Sequence, residues 1–125
     1  MEKLQNVHIL VVEDDFANLE MLRRFLLKFG AIVITACSGK EAINAVKSNP
    51  YIKLVLMDIR LPDMDGFATT QQIKTIHPQL PVIAQTAYAM ENDRELCLEN
   101  GCDDYLSKPI DIGILYQKIN HYIYK

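Results

Sequence analysis

An α/β sandwich with a doubly wound, mostly parallel sheet is predicted for this chain by two observations. Short β-branched runs alternate with longer segments of helical period along its whole length, and each helical segment meets a stop signal before the next run begins. At 125 residues, 50% hydrophobic and 23% charged, the chain has the size and composition of one soluble domain with its own core, here expected to fill residues 1–125 without linker or repeat.

The first strand is expected over residues 7–12, nearly continuously apolar as a strand covered on both faces must be. Leu19, Leu22, Leu26 and Phe29 then recur at helical steps, with Glu20, Arg23, Arg24 and Lys28 on the opposite side and Gly30 as the stop. Residues 31–36 form the second strand. Ser38 with Glu41 three residues on reads as a capping box, opening a helix that ends near Asn49-Pro50. Residues 53–57 make a third strand running into Asp58, and the turn cluster of residues 61–66 leads into a helix over 67–76, broken by His77-Pro78. A fourth strand follows over 81–86, a helix over 92–100 with Gly101 beyond it, a short fifth strand over 104–107, and a final amphipathic helix over 112–124 capped by Asp111.

Composition narrows the function. A formal net charge of −3 offers no basic surface for a phosphate backbone, so direct nucleic-acid contact is not expected. The apolar runs are strand-sized and residues 1–6 carry no signal-like apolar stretch, so a cytoplasmic location without membrane contact is expected. Cys37, Cys97 and Cys102 show neither a disulfide framework nor metal spacing, and all three are expected to be small buried hydrophobes.

In a doubly wound sheet the chemistry sits at the carboxyl ends of the strands. Glu13-Asp14-Asp15 follows the first strand, where a nucleotide-binding fold would carry a glycine-rich loop, and carboxylates there repel phosphate and attract a hard cation. Asp58 ends the third strand and converges on these acids if the first and third strands are neighbours. Such carboxylates raise one another's pKa unless a cation joins them, and an open site with few protein ligands suits Mg²⁺. Thr86 ends the fourth strand with a hydroxyl donor, and Lys108 follows the fifth with a flexible positive charge. A carboxylate nucleophile, a cation and cationic donors are the components of in-line phosphoryl transfer onto Asp58. Taken singly, each residue is ordinary: three acids in a row are most often a solvated turn, and only the constellation points to chemistry.

The segments Val11-Val12-Glu13-Asp14-Asp15, Leu56-Met57-Asp58-Ile59-Arg60-Leu61-Pro62-Asp63-Met64-Asp65-Gly66, Thr86-Ala87-Tyr88 and Tyr105-Leu106-Ser107-Lys108-Pro109 resemble the signature segments of the response regulator receiver domain of two-component signalling. The resemblance covers essentially the whole chain. It implies a flavodoxin-like (βα)5 sandwich with a five-stranded parallel sheet of order 2-1-3-4-5. It implies Asp58 as phosphoacceptor, Glu13, Asp14, Asp58 and the backbone carbonyl of Arg60 as ligands of Mg²⁺, and Lys108 as the phosphate-pairing lysine. Thr86 and Tyr105 become the switch pair, which alters the surface of helix four, strand five and helix five, and the bond before Pro109 is implied to be cis.

The implied donor is a phosphohistidine on a histidine kinase or a histidine phosphotransfer protein. Arg60 and Tyr88 match variable positions that tune how easily water reaches the acyl phosphate, and their bulk is expected to slow hydrolysis. The wording of residues 86–94 and 103–110 looks most like receivers of hybrid sensor histidine kinases, so excision from such a kinase is expected ahead of a stand-alone regulator. Tyr105 alone also fits a half-buried aromatic. The terminal stripe of Tyr116, Tyr122, Tyr124, Ile119 and Ile123 reads as core with a partly exposed face, with a homodimer or partner surface as the alternative. His8, His77 and His121 lack metal spacing. The rival functions are an Mg²⁺-dependent phosphatase turning over at Asp58, disfavoured for want of a substrate-binding insertion, and a pseudo-receiver, disfavoured because every key residue is retained. A flavin carrier would need its phosphate loop where the acids stand.

Overall fold

Alternating runs become alternating elements in the structure, a computed structural model that describes residues 4–87 and 91–124. The order is β1 (His8–Val12), α1 (Phe16–Lys28), β2 (Ile32–Ala36), α2 (Gly39–Ser48), β3 (Ile52–Asp58), α3 (Gly66–Ile76), β4 (Val82–Thr86), α4 (Glu91–Glu99), β5 (Asp104–Ser107) and α5 (Ile112–Ile123). The strands pair in parallel in the order β2-β1-β3-β4-β5, the flavodoxin-like arrangement expected.

Because parallel strands are joined by crossover helices, both faces of the sheet are covered and both must be apolar. Leu10 and Val12 of β1 enter a core closed by Ala42, Ile43 and Val46 of α2, Ile73 of α3 and Cys97 of α4. Ile9 and Val11 enter the opposite core with Leu19, Leu22 and Leu26 of α1 and Leu115 and Ile119 of α5. In the terminal stripe, Ile119 is buried, Tyr116 packs on Phe29 with ring centroids 4.5 Å apart, and the Tyr122 hydroxyl donates to the Asp103 carbonyl at 2.9 Å. Tyr124 is exposed.

Element ends differ from expectation by a residue, for identifiable reasons. The Ala31 N–H turns back to the Leu26 carbonyl as part of the stop made by Gly30 at φ +86°, so β2 begins at Ile32. Pro81 has no N–H to give a ladder, and β4 begins at Val82. Ile52 joins β3 by pairing with His8 across a register shift. Asp15, Ser38, Asp65 and Asp111 cap α1, α2, α3 and α5. At α2 the reciprocal bond of the box reaches one residue further than expected, the Glu41 carboxylate accepting from the Cys37 N–H at 3.2 Å. That placement corrects one expectation: Cys37 lies in the turn past the last residue of β2 and is exposed, whereas Cys97 and Cys102 are buried.

At the amino ends of the strands, Lys74 Nζ donates to the Leu80 carbonyl and to Asp103 Oδ2, both at 2.7 Å. Asp103 Oδ2 also accepts from the Val82 N–H at 2.8 Å, and the Asp103 N–H donates to the Val82 carbonyl at 2.8 Å. This clasp joins the end of α3 to the starts of β4 and β5.

At the other end, Gly66 opens α3 against the end of β3, its N–H donating to the Ile59 carbonyl at 2.7 Å. A methyl group on residue 66 would run into the carbonyl oxygen of Asp58 and lie 2.7 Å from Ile59 Cα, both backbone atoms without freedom to turn aside. Gly66→Ala is therefore expected to lower the unfolding free energy by about 1–3 kcal/mol, measured by urea denaturation; a variant as stable as the parent would show that the β3–α3 loop yields.

Candidate functional site at the carboxyl ends of the strands

Parallel strands end on one edge of the sheet, which gathers the residues that close β1, β3, β4 and β5. A cleft of about 310 Å³ opens there, lined by Glu13, Asp14, Asp58, Gln85, Thr86 and Lys108 among others. Glu13 is 0% and Asp58 5% exposed. Lys108 Nζ lies 3.1 Å from Glu13 Oε1 and 3.3 Å from Asp58 Oδ2, so one ammonium spans two buried carboxylates. Backbone N–H groups hold the remaining oxygens: Arg60 donates to Asp58 Oδ1 at 3.0 Å and Asp15 to Glu13 Oε2 at 3.2 Å.

The three consecutive acids have three placements. Glu13 is buried, Asp14 is exposed, and one oxygen from each lies within 4.8 Å of the other and of Asp58. Asp15 serves instead as the cap of α1, accepting from the N–H groups of Ala17 and Asn18 at 2.9 and 3.3 Å.

Two buried acids beside one cation cannot both ionise freely. Burial, reinforced by the hydrogen bond and charge of Glu13, raises Asp58 from its ordinary 3.8 to about 7. Burial also works to raise Glu13, but hydrogen bonds from Asp58, Asn18 and Lys108 outweigh it, and Glu13 titrates below the usual carboxylate range. Lys108 is depressed by burial but raised on balance by Glu13 and Asp58. Near neutrality Glu13 therefore holds the negative charge while Asp58 is partly protonated. Three carboxylates, one open to water, make a donor set of hard oxygens that fits a divalent cation in place of that proton.

Thr86, 6% exposed, lines the same cleft, and its carbonyl accepts the Lys108 N–H at 2.7 Å. The Lys108–Pro109 bond is cis, as expected. Arg60 is exposed at the cleft wall. Tyr105 is not in the cleft: half-buried on β5, it packs on the α2–α4 core and lines a separate cavity of about 220 Å³ with Leu106, Ser107, Pro109, Asp111, Ile114 and Lys118. Tyr88 lies outside the described residues. None of the three histidines lines the cleft.

Three participants were not anticipated from sequence. Asn18, in the first turn of α1, donates from Nδ2 to Glu13 Oε1, and Gln85 lies beside it. Asp63 accepts the N–H groups of Gly39 and Lys40 at 2.9 and 3.0 Å, tying the β3–α3 loop to the start of α2. Those two backbone bonds hold the Asp63 carboxyl below its ordinary range. Amides and a loop acid 24 residues from the helix it caps leave no local pattern to read.

The response regulator receiver domain family matches residues 9–120, and the chain belongs to it. It is a receiver domain of two-component signalling. It is 39% identical to an uncharacterized 14.6 kDa protein of Leptolyngbya boryana over 98% of this chain and 94% of that one. It is also 39% identical to the sensor histidine kinase GacS of Pseudomonas protegens, over 89% of this chain but 12% of the kinase. Among solved structures, the receiver domain of sensor histidine kinase PA1611 of Pseudomonas aeruginosa superposes with a TM-score of 0.88 at 34% identity, covering 96% of this chain and 99% of that one; that structure has a magnesium ion in its active-site cleft. The receiver domain of Ssk1 from Saccharomyces cerevisiae, co-crystallised with the histidine phosphotransfer protein Ypd1, gives 0.89 at 30% identity, covering 96% of this chain and 90% of the other. No helix among the described residues is long and apolar enough to cross a membrane.

The shared proton has a consequence for stability. Because native Asp58 binds its proton more tightly than the unfolded side chain does, stability falls as pH rises from about 4 to about 7 and stays reduced above that. With chelator present, Asp58→Asn is expected to be more stable than the parent at pH 8 by more than about 1 kcal/mol, with the difference shrinking toward pH 4.5. Thermal melts across that range test this, and a variant less stable at pH 8 would contradict it.

Proposed function

We propose that residues 1–125 form one receiver unit whose Asp58 accepts a phosphoryl group from a phosphohistidine on a histidine kinase or a histidine phosphotransfer protein. The observation that carries the reading is the buried Asp58 carboxylate, spanned with Glu13 by Lys108 and set among three converging acids at the strand ends. An Asp58 oxygen attacks phosphorus; the new P–O bond forms as the N–P bond breaks, and the donor histidine nitrogen leaves with the electron pair. Glu13, Asp14, Asp58 and the backbone carbonyl of Arg60 are the proposed ligands of Mg²⁺. When bound, the cation neutralises charge on the acids and on the transferring phosphoryl oxygens, and so favours the ionised nucleophile.

Lys108 is within reach of Asp58 Oδ2 and supplies the positive charge that follows the phosphoryl group once it is attached. Thr86 supplies a hydroxyl donor at the adjoining strand end. Its movement toward the phosphoryl group frees space on the α4–β5–α5 side, and Tyr105, half-buried there, turns into it. The partner reading draws support from the Ssk1 receiver, crystallised with Ypd1, and the cation reading from the magnesium ion of the PA1611 receiver. Kinship with sensor kinase receivers supports excision from a hybrid sensor histidine kinase, and the similarly sized L. boryana protein supports the stand-alone alternative. Catalysis is confined to the domain's own phosphorylation and dephosphorylation, in the cytoplasm.

Incubation with Mg²⁺ and a small acyl phosphate is expected to add a single phosphoryl group, read by intact-protein mass, and chelator or Asp58→Asn is expected to abolish the gain. Steady release of phosphate from a small ester would replace this reading with a phosphatase, and no gain by the folded protein would replace it with a pseudo-receiver. Arg60→Ala combined with Tyr88→Ala is expected to shorten the lifetime of the phosphorylated form by opening the acyl phosphate to water. An equal or longer lifetime would remove both residues from that role.

A further inference from the structure

Gln85 is a buried amide, 1% exposed, on the face of β4 where Ile83 two residues earlier packs into the apolar core of α1 and α5. It pairs in register with Asp58 on one side and Leu106 on the other. Its Oε1 lies 3.5 Å from Asn18 Nδ2, the same group that donates to Glu13 Oε1, while Gln85 Nε2 has no hydrogen-bond partner among the described residues. A buried amide with one end unpaired in such a place calls for a physical reason.

The reason runs outward from Glu13. An ionised carboxylate accepts hydrogen bonds and donates none, so Asn18 must turn its NH₂ to Glu13. The second hydrogen of that NH₂ faces Gln85, which must answer with its carbonyl, and the Gln85 NH₂ is left on the far side without an acceptor among the described residues. The unpaired donor is thus the last member of a chain of orientations set by Glu13. On the carboxylate itself, Asn18 and Lys108 take both lone pairs of Oε1 and the Asp15 N–H takes one of Oε2, so the one remaining position is the place that Asp58 shares while it keeps its proton and that a cation replacing that proton can take.

We propose that Asn18 and Gln85 are positioning residues of the cation site: Asn18 holds the Glu13 carboxylate so that one Oε2 lone pair stays open to a divalent cation, and Gln85 holds Asn18. This rests on the reading of the cleft as an Mg²⁺ site. Without the amides, Glu13 is free to turn both oxygens to Lys108, which then competes with the cation for the open position. The effect falls first on cation affinity.

The test is titration of Mg²⁺ alone into the full chain, followed by backbone amide NMR shifts, for the parent, Asn18→Ala, Gln85→Leu and the double variant, with melting temperatures measured alongside. Asn18→Ala is expected to weaken Mg²⁺ binding about tenfold, as loss of a group that orients a metal ligand does. Gln85→Leu is expected to weaken it about threefold, the scale of one lost hydrogen bond. The double variant is expected to bind no more weakly than Asn18→Ala, because Gln85 acts through Asn18. Phosphoryl uptake is expected to need more Mg²⁺ in each variant and to recover as Mg²⁺ is raised. Should Gln85→Leu fail to fold, Gln85→Met, unbranched and of similar length, takes its place, and the partly exposed Asn18 carries the test independently. Unchanged affinity in Asn18→Ala overturns the proposal, and additive losses in the double variant overturn the link through Asn18. A parent that binds no Mg²⁺ refutes the cation reading itself, whereas a parent that binds it as tightly as its variants do refutes the positioning roles alone.

Discussion

Two carboxylates buried side by side under one ammonium set the terms for everything at the carboxyl edge of this sheet. Glu13 and Asp58 close adjacent strands, and Lys108 reaches both from beyond β5. A single positive charge cannot neutralise both acids, so one of them keeps a proton or awaits a second cation. Backbone donors at Asp15 and Arg60 take up part of the remaining charge, which binds the geometry of two loops to the electrostatics of the pair. The unbalanced negative charge is what favours a further cation in the cleft, since a site already neutral would have nothing to gain from one.

Much of this was legible because it depends on period and punctuation. Parallel strands buried on both faces read as continuous apolar runs, and the strand ends carrying Asp58, Thr86 and Lys108 follow directly from where those runs stop. The caps at Ser38 and Asp111 were visible because their partners lie within a few residues. Asp63 was not, because the N–H groups it accepts belong to a helix begun 24 residues earlier, and no local pattern distinguishes it from any other turn aspartate. Asn18 and Gln85 escaped for a related reason: one reads as an ordinary first-turn residue, the other as a polar residue in a short strand, and their relation to Glu13 exists only after α1 has packed across the sheet. Cys37 shows the opposite failing, since a small apolar residue next to a strand reads as core although the strand has already ended.

The acids also show how little adjacency in sequence says about role. Glu13, Asp14 and Asp15 are consecutive, yet one is sealed beneath the helices, one faces water at the cleft and one is consumed in starting α1. Glu13 follows directly on β1 and is held inward by Asn18 and Lys108, Asp14 lies in the loop beyond it, and the helix start claims the third. A rule that counted carboxylates would have overestimated the site by one.

The clasp of Lys74, Leu80, Val82 and Asp103 lies at the far end of β4 and β5 from Thr86 and Lys108. It fastens the two strands to each other and to α3 at the points where they begin. Displacement at the chemical end is then leverage about a pivot: the strands are held as a pair at the base, and travel grows with distance from it. Sliding of one strand past the other would break both bonds between Val82 and Asp103 and pull Lys74 from one of its two acceptors, whereas a tilt of the loops beyond the strands breaks none of them.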